Sequence, residues 1–182
     1  MKISTKQILK VLLVLSWIIF VGVCIEAGGC IFSAAYTLLI NSVNAASFWE
    51  KNDLSALYHF SPSHFFVETM LISIPQVMKA ILFYLIVKML HEKKLDMSQP
   101  FSKEVKVFIT RTAWLALGTG LFALWGVKYT EWLISQGVKM PDTQHLHLGG
   151  PDVWLFMSVI LYVIAQVFKR GVEIQSENEL TV

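Results

Sequence analysis

The chain has 182 residues, 55% of them hydrophobic and 15% charged, with a mean hydropathy of +0.58 and a net charge of +2. Soluble domains carry about 45–50% apolar and about 25% charged residues, which argues against an ordinary soluble domain, and the small net charge argues against direct nucleic-acid binding. The composition points to an integral membrane protein whose first partner is the lipid bilayer. About 20 apolar residues cross a bilayer core, so this length holds four spans and their connections.

The first apolar block runs over 8–40 and is interrupted by Glu26. As one helix it would be about 50 Å long against a hydrocarbon core of about 30 Å, so its outer end is expected to project, tilt or break near Gly28-Gly29. Lysines, an apolar run and Ala27-Gly28-Gly29 before Cys30 resemble a signal peptide. Glu26 beside the small residues, and the apolar run continuing to Ile40, favour an uncleaved anchor.

In the loop 41–64, Leu54, Leu57 and Tyr58 at helical spacing predict a short amphipathic helix, either on the membrane surface or over the bundle mouth. The second span, 65–90, contains Glu68, Pro75 and Lys79. In the connection 91–106, Pro100 disfavours helix before it, while Ser102 is placed to cap the next helix with Glu104 in its first turn. The third span, 107–134, leads to a turn-rich loop, 136–151, and the fourth covers 153–168. Lys169 and Arg170 are expected to stop that span at the lipid phosphates and Gly171 to end it in a left-handed residue. The tail, 169–182, is then placed to fold against the basic connection or to dock a partner. Backbone groups in lipid must bond within their own segment, so the predicted fold is all-α, a single four-helix membrane bundle.

The cations set the expected orientation. Lys2, Lys6 and Lys10 precede the first span, Lys88, Lys93, Lys94, Lys103, Lys106 and Arg111 surround the middle connection, and Lys169 and Arg170 follow the last span. The other side has only Lys51 and Lys139, with Lys128 near a helix end, so both termini are expected in the cytoplasm.

Ionisable residues inside spans are costly and point to function; here they are Glu26, Glu68, Lys79, Lys128 and Glu131. Lys79, one turn after Pro75, either lines an internal polar path or snorkels and bonds a neighbouring helix. A pairing of Glu26 with Lys128 across the first and third spans would neutralise both. Gly29-xxx-Ser33 and Ala116-xxx-Gly120 are small-residue faces suited to close packing. His59, His64, His145 and His147 all fall in the two outer loops, where three readings stay open: solvated side chains, a pH-responsive group, or a zinc or copper site. No cofactor is otherwise expected. Cys24 and Cys30, six positions apart, face different sides of a helix and imply no disulfide. The nucleophile-elbow, zincin, P-loop and dinucleotide motifs are all missing, which argues against an enzyme.

Two stretches carry a resemblance. Pro100-Phe101-Ser102-Lys103-Glu104, and the terminal run Ile164 to Val182 with its Phe168-Lys169-Arg170-Gly171 and Glu179-Leu180-Thr181-Val182, resemble the inner-loop and C-terminal motifs of the bacterial membrane family called domain of unknown function 2975. The resemblance implies a polytopic protein of the bacterial inner membrane, often encoded beside a small helix-turn-helix regulator. It makes Pro100, Phe101, Ser102, Glu173, Glu177 and Glu179 the expected surface for a cytoplasmic partner. The expected function is a non-enzymatic regulatory or sensory membrane protein; the alternative is a small transporter or channel using Lys79, Glu26 and the Pro75 break. A homo-oligomer is left open.

Overall fold

A computed structural model describes residues 5–92 and 101–179. Four long helices, α1 (Thr5–Leu39), α3 (Pro62–His91), α4 (Lys103–Ser135) and α5 (Pro151–Glu179), are long and apolar enough to cross a membrane. A short helix, α2 (Ser55–Phe60), and two 3-10 turns, Ser42–Ser47 and Trp49–Lys51, fold the first connection. No strand occurs among the described residues, and the fold is an all-α four-helix bundle.

Close backbone approaches run from α1 to α3, α3 to α4 and α4 to α5, so α1 and α5 are the flanking members. Val11, Val14, Ile18, Val21 and Ile25 of α1 are exposed apolar residues, as expected of a helix whose neighbours include lipid. The inward edge of α1 is small and polar instead: Ala27, Cys30, Ser33 and Thr37 are buried three to four positions apart. The Thr37 hydroxyl donates to the Ser33 carbonyl at 2.7 Å, and Asn44 Nδ2 donates to Thr37 Oγ1 at 3.0 Å, tying the first connection to α1.

The larger hydrophobic core lies at one end of the bundle, where connections 40–61 and 136–150 meet; we call this the cap end. Leu54, Leu57, Phe65, Leu133, Leu146 and Leu148 are fully or almost fully buried there. The α2 helix packs on α3, so the amphipathic spacing in 54–58 covers the bundle mouth. Asp53 accepts from the Ser55 hydroxyl at 2.6 Å and the Ser55 N–H at 2.9 Å, bonds that hold its carboxyl below the usual carboxylate range. Their contribution to stability is present above the ordinary carboxylate pKa and is lost as pH falls through the lowered one.

One expectation is narrowed and two are corrected. Of the three alternatives for the outer end of α1, the break near Gly28-Gly29 does not occur: the helix is continuous there, and Gly29 serves as a socket for the Trp49 ring. The last helix does not end at Gly171 but runs to Glu179, and the missing Cβ of Gly171 is what lets the Phe101 ring sit against α5. Phe101 also meets the Phe168 ring, with centroids 5.3 Å apart. Lys128 does not reach Glu26; it pairs at 2.8 Å with Glu131, one turn on in its own helix, where both side chains are exposed and the shorter path wins. Ser102 caps α4 as expected, its hydroxyl accepting from the Val105 N–H at 3.2 Å, while Lys93, Lys94 and Pro100 lie outside the described residues.

Leu148 sits over Gly126 of α4, and a Cβ there would lie 2.8 Å from its side chain. Gly126→Val is therefore expected to destabilise the fold by about 1–3 kcal/mol through overpacking. Gly28→Ala, whose added Cβ meets nothing within 4 Å, should leave the thermal midpoint in detergent close to that of the parent chain.

Candidate functional site

The polar residues of α3 share one face. Positions 68, 72, 76 and 79 repeat at helical spacing, so Glu68, Ile72, Gln76 and Lys79 form an inward stripe, with Lys79 about 16 Å along the axis from Glu68. Glu68 and Gln76 are fully or almost fully buried and Lys79 half-buried. Burial of this kind is favourable only with partners, and the stripe finds them on three other elements.

Thr130 of α4, itself fully buried, bonds Glu68 Oε1 at 2.6 Å and lies 3.0 Å from the Gly126 carbonyl. A hydroxyl has one proton. It either donates to Glu68 as a carboxylate, or donates to Gly126 and accepts from Glu68 as a carboxylic acid. The second Glu68 oxygen, Oε2, is buried without a partner, as are Gln76 Oε1 and Trp49 Nε1. Lys79 lies 5.7 Å over the Trp154 ring of α5, a cation–π contact. Of the two readings of Lys79, the structure supplies the bonded neighbours.

The connection 136–150 closes the stripe from the cap end and acts as its plug. Leu146 and Leu148 are buried while the intervening His147 turns its carbonyl inward, where Gln76 Nε2 donates at 3.3 Å and Lys79 Nζ at 3.5 Å. The His147 ring points the other way, its Nε2 lying 3.0 Å from Glu50 Oε2 of the first connection. A second tie is adjacent: Asn52 Nδ2 donates to the Trp49 carbonyl at 2.9 Å and the His145 carbonyl at 3.2 Å.

The backbone at this clasp is strained. Among the described residues the non-glycine positions with left-handed φ are Glu50 at 57°, Lys51 at 62° and His147 at 57°, so both partners of the cross-loop bond adopt a conformation that costs on the order of 1 kcal/mol or more each. Such residues persist where surroundings over-determine them, and they concentrate at working sites.

The four histidines do not assemble. His64 shares a hydrogen bond between Nδ1 and the Tyr129 hydroxyl and has its ring centroid 5.4 Å from that of Trp132; His147 is committed to Glu50; His59 and His145 are exposed. No three His, Cys, Asp or Glu side chains among the described residues form a metal-holding group. The four therefore do not converge as the zinc or copper reading requires: His64 and His147 are drawn to separate partners on α4 and the first connection, and His59 and His145 stay at the surface. Cys24 is exposed and Cys30 buried, both as free thiols.

At the other end, Glu173 bonds Arg170 of its own helix at 3.2 Å, which holds that carboxylate along α5. Glu177 is exposed on the same helix, and nothing is described of the Glu179 side chain. Phe101 is 38% exposed despite its contacts with Phe168 and Gly171. Spacing alone already put Gln76 on the stripe of Glu68 and Lys79, and its polarity within an apolar helix was the signal to follow. Glu50 and Thr130 carried no comparable signal. Compared with models of known families, with characterised proteins and with solved structures, the chain matches none.

Thr130→Val is expected to cost about 1–3 kcal/mol by stripping the buried Glu68 of its partner. The double variant Glu68→Leu with Thr130→Val should recover much of that loss, because no polar group is then stranded. Thermal or denaturant unfolding of the four-member mutant cycle in detergent measures the coupling.

Proposed function

We propose that this chain is a non-enzymatic membrane sensor, in which the cap end senses the outer environment and α3 carries its state to the opposite face. The observation that carries this reading is the two-sided engagement of His147: its ring is bonded to the first connection and its carbonyl to the polar stripe of a membrane helix. A change that opens the Glu50–His147 clasp releases a left-handed residue and withdraws the acceptor of Gln76 and Lys79 in the same movement. The contacts to α3 are long, at 3.3 and 3.5 Å, and long hydrogen bonds are weak and readily exchanged.

On this reading the cap faces the outside of a bacterial inner membrane and both termini are cytoplasmic, an orientation supported by the cations at the far end. Phe101, Ser102 and the acidic α5 extension then present a surface to a cytoplasmic regulator, of the helix-turn-helix type implied by the family resemblance. A second reading, a small transporter, draws support from the unpartnered oxygens of Glu68 and Gln76 beneath the plug. It requires liposome flux that falls with Lys79→Met or Glu26→Gln.

Hydrogen exchange read by mass spectrometry tests the coupling. His147→Asn keeps a residue that tolerates left-handed backbone but shortens the reach to Glu50. The expected result is faster exchange in the cap and also at 86–92 and 101–106, tens of ångströms away. Faster exchange confined to the cap, with the far end unchanged, would sink the sensor reading.

A further inference from the structure

At the end of the bundle opposite the cap, α3 and α4 enclose a recess of about 290 Å³ that the stripe and the clasp do not use. Three cations from the two helices line it: Lys88 near the end of α3, Lys103 at the start of α4, and Arg111 two turns further along α4. All three are exposed, so their charged groups remain reachable from solvent. Glu92 and Glu104 line the same recess, which leaves one net positive charge among the side chains bordering it. The remaining wall is apolar, formed by Leu85, Met89, Val107 and Phe108.

The depth of the recess identifies its surroundings. At 1.5 Å per residue α3 and α4 are about 45 and about 50 Å long, well beyond a hydrocarbon core of about 30 Å, so their ends lie at the level of the lipid headgroups. Lys103 and Arg111 are about 12 Å apart along α4, a separation that two long side chains reaching toward each other along the recess can bridge onto one headgroup phosphate. Arginine presents a planar fork suited to a phosphodiester, and lysine a mobile point charge. Basic pockets between membrane helices are suited to anionic lipid headgroups.

We propose that this recess is a binding site for an anionic glycerophospholipid, with Arg111, Lys88 and Lys103 on the phosphodiester and Leu85, Val107 and Phe108 against the glycerol and upper acyl chain. The single net charge of the pocket matches the single charge of that phosphodiester, and the apolar wall favours a lipid over a free phosphate ion. A lipid seated there would bridge the end of α3 to the start of α4 and brace the connection between them.

The test uses the full chain purified in a neutral detergent, with phosphatidylglycerol, phosphatidylcholine or inorganic phosphate added separately. Phosphatidylglycerol is expected to raise the thermal midpoint and to survive as a bound lipid in native mass spectrometry, with phosphatidylcholine and inorganic phosphate giving little of either. Lys88→Gln, Lys103→Gln and Arg111→Gln combined should weaken phosphatidylglycerol binding at least tenfold, and Lys51→Gln with Lys139→Gln, at the cap end, should not. Should the triple variant misfold, Arg111→Gln and Arg111→Lys alone replace it, the lysine variant being expected to retain more binding. Equal stabilisation by phosphatidylcholine, equal stabilisation by inorganic phosphate, or phosphatidylglycerol binding unchanged in the triple or the Arg111→Gln variant each overturns the proposal.

Discussion

A carboxyl group with no exposed surface, carried by a helix in apolar surroundings, constrains everything packed around it. Glu68 is tolerable only because Thr130 reaches it from α4, and that contact fixes the rotation of α3 relative to α4. Once that rotation is set, Gln76 and Lys79 follow inward on the same face and need acceptors of their own. Neighbouring helices supply few, since their backbone carbonyls are already bonded within the helix. The carbonyl of a loop residue is available, and the connection 136–150 inserts it. The plug at the cap end is thus a consequence of the polar stripe as much as a cover for it.

The plug can enter because glycine leaves it room. Leu148 occupies the space beside Gly126, and Trp49 the space beside Gly29, so two bulky side chains from two connections are anchored on the helix backbones beneath them. Leucines from both connections then complete one buried cluster. Packing on that scale stabilises by about 1.5–3 kcal/mol per fully buried large side chain, an upper bound given residual burial in the unfolded chain. Several such residues comfortably exceed the strain at Glu50, Lys51 and His147, which explains how three left-handed non-glycine residues are held in one small region.

The spans were legible from hydropathy because lipid enforces helix wherever about 20 apolar residues run together. The cap of α4 at Ser102 was legible because capping is local chemistry. The expected left-handed end at Gly171 failed for an instructive reason: a glycine after two cations has the pattern of a helix terminus, but here its small size serves a tertiary contact with Phe101. The Glu26–Lys128 pairing failed because depth along a span says nothing about which helices are adjacent, and α1 packs on α3 rather than α4. Likewise, four histidines in two loops suggested a cluster from side and composition alone. His64 in fact opens α3 and meets Tyr129 where α3 packs on α4, and His147 meets Glu50 where the two connections join, tertiary contacts that spacing does not encode.

The two ends of the molecule are therefore built on opposite principles. At the cap, buried leucines, glycine sockets and strained backbone lock two connections together, so a small chemical change there meets a structure with discrete arrangements rather than a soft one. At the far end, a smaller cluster of Met89, Val105, Ile109 and Ala165 joins α3, α4 and α5, and charged side chains line an open recess beside it. The α3 helix joins them without interruption, since Pro75 lies inside it and is buried. A proline deletes one backbone donor and so weakens the helix locally; placed between the Glu68 anchor and the Gln76–Lys79 contacts, it divides the fixed segment of α3 from the segment whose partners the plug controls. Movement of the plug would be expressed below that point, in the half of α3 that carries Lys88 and ends at His91.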